Sequence, residues 1–144
     1  MTPTLTLTEQ QTAAIAALGY NLYEQGKMSE ATTVFNGLVA IDPGNYIGYA
    51  GLGAVALASE PPQLDLAVAN LREAARLNSK DPTVQANLGE ALLRQAKFEE
   101  AAGAFEKALE LDPEEEDAGA NRARAILDGM EIVIEEVQKM GVGA

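Results

Sequence analysis

Three glycines set the frame of this chain. Gly19, Gly53 and Gly89 stand 34 and then 36 residues apart, while Ala31, Ala67 and Ala101 stand 36 and then 34 apart. The unit is clearest in Pro82 to Pro113, PTVQANLGEALLRQAKFEEAAGAFEKALELDP. Leu88, Gly89, Leu92 and Leu93 recur at helical spacing, and Ala101, Phe105, Ala108 and Leu111 do so again after a short break. Gly89 and Ala101 are small where two helices cross closely, and Phe98 and Phe105 are expected to fill the space beside them. Pro113 is expected to close the unit and open the next helix, where its missing N–H costs nothing. The two extra residues fall inside the second copy, where Ser59-Glu60-Pro61-Pro62-Gln63 reads as a lengthened turn.

A helix–turn–helix unit of 34 residues in three copies is the tetratricopeptide pattern. The fold class it implies is all-α: three such repeats in a right-handed superhelical solenoid with a C-terminal capping helix. Residues 1–8 are expected as an extended or disordered arm. The repeats fall at about 9–44, 45–81 and 82–113, in one domain closed by a capping helix over 114–140. Thr8 and Gln11 form a capping box ahead of a first helix running from about Glu9 to Gln25. Ser29 is expected to cap the second helix, from about Glu30 to Ile41, and Asp42-Pro43-Gly44-Asn45 reads as a turn. The second pair occupies about Asn45 to Ala58 and Gln63 to Asn78. In the last helix Ala123, Ile126, Leu127, Met130, Ile134, Val137 and Met140 form one apolar stripe, and Gly141 to Ala144 reads as a frayed tail.

Charge and composition exclude several functions. The formal net charge of −12 opposes nucleic acid and anionic membrane surfaces, both of which call for clustered Lys and Arg. Neither His nor Cys is present, which removes disulfides, thiolate metal sites and most acid–base constellations. No metal, no cofactor and no catalytic residue is expected, and no nucleophile stands beside a base. Met1 to Thr8 lacks the basic start and apolar run of a secretory signal, and no stretch reaches the roughly 20 apolar residues that span a bilayer. A cytoplasmic protein is expected. Gly51-Leu52-Gly53 follows no strand and so does not read as a nucleotide loop. Glu114 to Asp117 read as a solvated start to the last helix, favoured by its dipole, and Glu90 and Arg94 as a surface pair.

In such a stack the first helix of each pair lines the inner surface. The positions three before, one after and four after each repeat glycine are Ala16, Tyr20 and Tyr23; Ala50, Ala54 and Leu57; Ala86, Glu90 and Leu93. One turn further out lie Ala13, Ile47 and Thr83. This surface is small, apolar and aromatic with few charges. It suits an extended peptide with apolar side chains: the alanines leave room for a backbone, and the tyrosines offer rigid area with a hydroxyl at its tip. The alternative is that the same residues pack against a neighbouring helix, the N-terminal arm or another subunit. The surface lacks the Lys and Asn set that would clamp a terminal carboxylate.

Ala17 to Ala31 (ALGYNLYEQGKMSEA), Val34 to Asp42 (VFNGLVAID) and Tyr49 to Ala54 (YAGLGA) resemble the class II chaperones of bacterial type III secretion systems, over about residues 12–140. The resemblance implies a cytoplasmic, non-catalytic chaperone that holds a hydrophobic translocator, gripping an extended segment, often Pro-x-Leu-x-x-Pro, in the concave groove. By position Tyr20 and Tyr23 carry the groove role, with Ala50, Ala54 and Leu57 beside them. It also implies a homodimer, often formed through the N-terminal region. Two features depart from the family: only eight residues precede the first repeat, and Pro61-Pro62 lengthen a turn that is usually tight. Pro3-Thr4-Leu5 is similar to the start of the ligand motif, so the arm is itself a candidate occupant of a groove. The alternative function is a repeat scaffold that joins subunits of another assembly, such as a pilus or motility machine, through its convex or end surfaces.

Overall fold

The computed structural model describes residues 5–141. It is built of α-helices: α1 (Glu9–Glu24), α2 (Met28–Ile41), α3 (Tyr46–Ala58), α4 (Leu64–Leu77), α5 (Pro82–Arg94), α6 (Phe98–Leu111) and α7 (Ala118–Lys139). They form three antiparallel pairs stacked in chain order, with α7 laid across α5 and α6. Among the described residues none of these helices is long and apolar enough to cross a membrane. Pro3 and Thr4, where the ligand-like motif begins, lie outside the described residues, and Leu5 is exposed.

One packing device repeats through the stack. A Cβ placed on Gly19 would come within 2.6 Å of the Phe35 ring, and one on Gly53 within 2.5 Å of Leu71. Gly89 meets Phe105 in the same manner. Each repeat glycine is thus the hole for a side chain from the second helix of its own pair, and any larger residue there displaces a core side chain. Phe35 is held on its other side by Gly51, so it wedges α1 apart from α3. Phe35, Leu71 and Phe105 have no exposed surface. Phe98 is the exception to the expected pattern. It is the first residue of α6, its ring faces a surface cleft shared with α7, and it stays 58% exposed.

The starts of the first helices share a second device. Asn45, Asp81 and Asp117 each accept a backbone N–H in the first turn of the helix they precede. The two aspartates also hold the previous first helix: the Tyr46 hydroxyl donates to Asp81 at 2.8 Å, and the Thr83 hydroxyl donates to Asp117 at 2.6 Å. Burial, and then the hydrogen bond to Asp81, push the Tyr46 phenol up to about 12.

Two expected boundaries move. The capping box holds, with Gln11 N–H donating to Thr8 at 3.1 Å and Thr8 N–H to Gln11 at 2.9 Å. Ser29, however, lies inside α2, which starts at Met28 with no side-chain cap. The last helix starts at Ala118 rather than Glu114. The buried Asp112 carboxylate accepts the N–H groups of Glu116 and Asp117, and Glu115 takes a left-handed φ of 58°. A helix cannot pass through that turn. Pro113 and Glu114 to Glu116 therefore belong to a turn, and Asp117 alone of the acidic run caps α7.

The core divides in two. A small cluster of Ala16, Ala31, Phe35 and Val55 holds the first pair to α3. A larger one runs from α3 to α7 and takes in Leu71, Leu92, Phe105 and Ala123.

Candidate functional site: a cleft lined by the first helices

The first helices of the pairs, together with α7, line a cleft of about 510 Å³. Tyr23 comes from α1, and Ala54, Leu57 and Ala58 from α3. Asn87, Glu90 and Arg94 come from α5, and Arg122 from α7. Ser59, Glu60 and Pro62 of the lengthened turn form its rim. None of the second helices contributes a lining residue.

Four of the residues singled out from sequence meet in this cleft: Tyr23, Ala54, Leu57 and Glu90. Six others sit elsewhere. Ala16 is buried in the small cluster with Val55 of α3. Ala86 is fully buried beneath α7, where Gly119 approaches so closely that an added Cβ would stand 3.3 Å from that of Ala86. Ala50 and Leu93 pack against the larger cluster, and Ile47 against the smaller. Tyr20 is half-buried and rests edge-on against Phe35, ring centroids 5.0 Å apart at 65°. Burial holds its phenol above the ordinary range.

The reason lies in the stacking. The residue three before each repeat glycine faces the next first helix along the stack, as Ala86 faces α7. The cleft is lined instead by Ala54, Leu57 and Ala58, one, four and five residues after Gly53, and by Asn87, Glu90 and Arg94, two before, one after and five after Gly89. Counting five onward would have found Ala58 and Arg94. No signal in the chain marks Arg122, which arrives from a helix outside the three repeats.

Along the stack the cleft runs from Tyr23 of α1 to charged side chains of α5 and α7, with Glu60 on its rim. Glu90 does not pair with Arg94: it accepts from Arg122 Nε at 3.2 Å. Arg94 reaches across to the carbonyl of Leu57 at 3.4 Å and makes no ion pair among the described residues. Tyr23, Ala54 and Leu57 supply the apolar lining, where an apolar side chain can be covered. Asn87 lines the cleft from α5, one turn before Glu90, and its amide can both donate to and accept from a peptide backbone.

A tetratricopeptide repeat family model matches residues 82–115. The type III secretion translocator chaperone SycD of Yersinia enterocolitica superposes with a TM-score of 0.78 at 25% identity, over 90% of each chain. A second structure, SycD in complex with a peptide of the translocator YopD, has a TM-score of 0.74 at 25% identity, over 87% of this chain and 95% of that one. In sequence, 98 residues are 32% identical to human DnaJ homolog subfamily C member 3, covering 68% of this chain. The chain spans about a fifth of the length of that relative. The chain is a tetratricopeptide-repeat protein that resembles the type III secretion translocator chaperones in fold.

Proposed function

We propose that this protein is a cytoplasmic, non-catalytic chaperone for a type III secretion translocator, holding an extended apolar segment of that client in the cleft. The observation that carries the reading is the lining of the cleft. It draws on successive first helices and sets Tyr23, Ala54 and Leu57 beside Asn87, so a strand-like guest can bury side chains and still satisfy its backbone. The likeness to SycD, which is known in complex with a translocator peptide, supports the same choice of ligand. Two or three anchors at about 1.5–3 kcal/mol each, set against the cost of association, give a dissociation constant on the order of micromolar for a short segment.

A scaffold joining subunits of another assembly is the competing reading. It is favoured by apolar side chains exposed outside the cleft, on α7. Fluorescence anisotropy of a labelled synthetic peptide of the form Pro-x-Leu-x-x-Pro separates the two. Tyr23→Ala is expected to weaken binding by at least about tenfold, and Tyr23→Ala with Asn87→Ala to abolish it, with the helical circular dichroism retained. Undiminished affinity in the double variant overturns the chaperone reading.

A further inference from the structure

The first half of α7 covers the end of the stack, with Ala120 and Ala123 fully buried and Ile126 and Leu127 packed on the larger cluster. From Glu131 onward every residue of the helix is exposed. Its apolar stripe nevertheless continues: Val133 is 62% exposed, Ile134 53%, Val137 38% and Met140 72%. Phe98, at the start of α6, adds its exposed ring to the same surface. A shallow cleft of about 620 Å³ opens there, lined by Phe98, Gly129, Met130, Val133 and Ile134.

From those exposures the five side chains leave roughly 500 Å² of apolar surface in water, the size of a typical monomer's largest patch, which often marks an interaction site. A symmetric pairing would remove about 1,000 Å² together with its polar rim, the lower end of what a specific interface needs.

We propose that this half of α7 pairs with the same half of a second copy, antiparallel about a two-fold axis, with the Met140 of each copy seated in the other's cleft beside Phe98. The spacing of the stripe points to a copy of itself. Met130 and Met140 lie equally far on either side of Glu135, and so do Val133 and Val137. A reversed helix therefore sets Met level with Met and Val level with Val, with the periodicity of a two-stranded seam. Glu131 and Lys139 are also equidistant from Glu135, which sets opposite charges at the same height. Glu136 flanks the axis in both copies, and each chain carries a formal charge of −12, so added salt strengthens this dimer. The proposal is independent of what the other cleft binds.

Sedimentation equilibrium of the full chain tests it. A dimer is expected at tens of micromolar, tightening between 50 and 500 mM NaCl. Val133→Asp is expected to raise its dissociation constant by at least about thirtyfold and Phe98→Ala by about tenfold, both variants keeping their melting behaviour. Because the chain has no cysteine, single introduced thiols report the geometry. Ile134→Cys should bridge to its counterpart with a short bismaleimide. Met140→Cys should not, because the two copies of that residue lie about 15 Å apart along the axis. A monomer at about 100 μM, a dimer indifferent to Val133→Asp, cross-linking at Met140→Cys in place of Ile134→Cys, or a stripe covered only when a different protein is added overturns the proposal.

Discussion

The first and third helix pairs are built on one plan and end in different chemistry. Both lock a phenylalanine over a glycine, Phe35 on Gly19 and Phe105 on Gly89. Both turn from first to second helix through one left-handed residue, Gly26 at φ 78° and Ala96 at φ 62°. Toward the cleft, however, the first pair presents Tyr23 and the third presents Asn87, Glu90 and Arg94. The third pair is also tied to its neighbours through Asp81 and Asp117. The hydrogen bonds of Asn45 reach Asp42 and the N–H of Ile47, and none reaches α1 among the described residues. The shared plan therefore sets where the cleft lies, and the differing positions set what it recognises. On the proposed function, an extended guest would meet Tyr23 toward one end of the cleft and charged side chains toward the other.

The largest effects expected fall on the shared knobs. Phe105→Ala and Phe35→Ala each remove a fully buried ring and should cost about 3–5 kcal/mol. They should differ in extent. Phe105 belongs to the core running from α3 to α7, so its loss should lower the melting midpoint of the whole chain. Phe35 belongs to the small cluster, so its loss should strip hydrogen-exchange protection mainly from α1 and α2. Phe98→Ala in the same helix as Phe105 should leave stability within about 0.5 kcal/mol. Equal and global losses for Phe35→Ala would mean that the two clusters act as one.

The charged side chains of the cleft should matter less than the apolar ones. Arg94→Glu is expected to weaken the synthetic peptide of the anisotropy assay by about fivefold when its flank carries an acidic residue, and the loss should shrink with added salt. The Tyr23→Ala loss should be insensitive to salt. If both losses respond to salt alike, the charged and apolar contacts of the cleft are not distinct.

The turns give a smaller contrast. Ala96→Gly relieves a left-handed alanine and should stabilise by about 0.5–1 kcal/mol, whereas Gly26→Ala imposes the same strain and should destabilise by about 1 kcal/mol, both measured by urea unfolding. The Tyr46–Asp81 tie has the smallest expected effect and appears only in alkali. A phenol raised to about 12 contributes stability in full below its unfolded value near 10 and loses it as pH climbs from there toward 12. Tyr46→Phe should flatten that decline in a pH series of melting points.

Much of this was legible in the sequence because period and size carry physical meaning. A glycine at a helix crossing predicts a large side chain opposite, and Gly19, Gly53 and Gly89 each have one. Phe98 was misplaced because its spacing fits the stripe while its position at the start of α6 sets it on the surface beside α7. Ala86 was misplaced because a small apolar residue suits a groove and a buried helix contact equally well. The start of α7 was hidden in the turn held by Asp112, where Glu115 takes a left-handed φ of 58° that a helix beginning at Glu114 cannot pass. Arg122 joins Glu90 across 32 residues, and no local pattern encodes such a contact.

Titration of the isotopically labelled protein with the synthetic peptide, followed by backbone amide shifts, tests the central claim most directly. Movement concentrated at Tyr23, Ala54, Leu57, Asn87 and Glu90 is the result expected, with the amides of α2, α4 and α6 little changed. Movement confined to the second helices or to the exposed half of α7, or none at millimolar peptide, would contradict it.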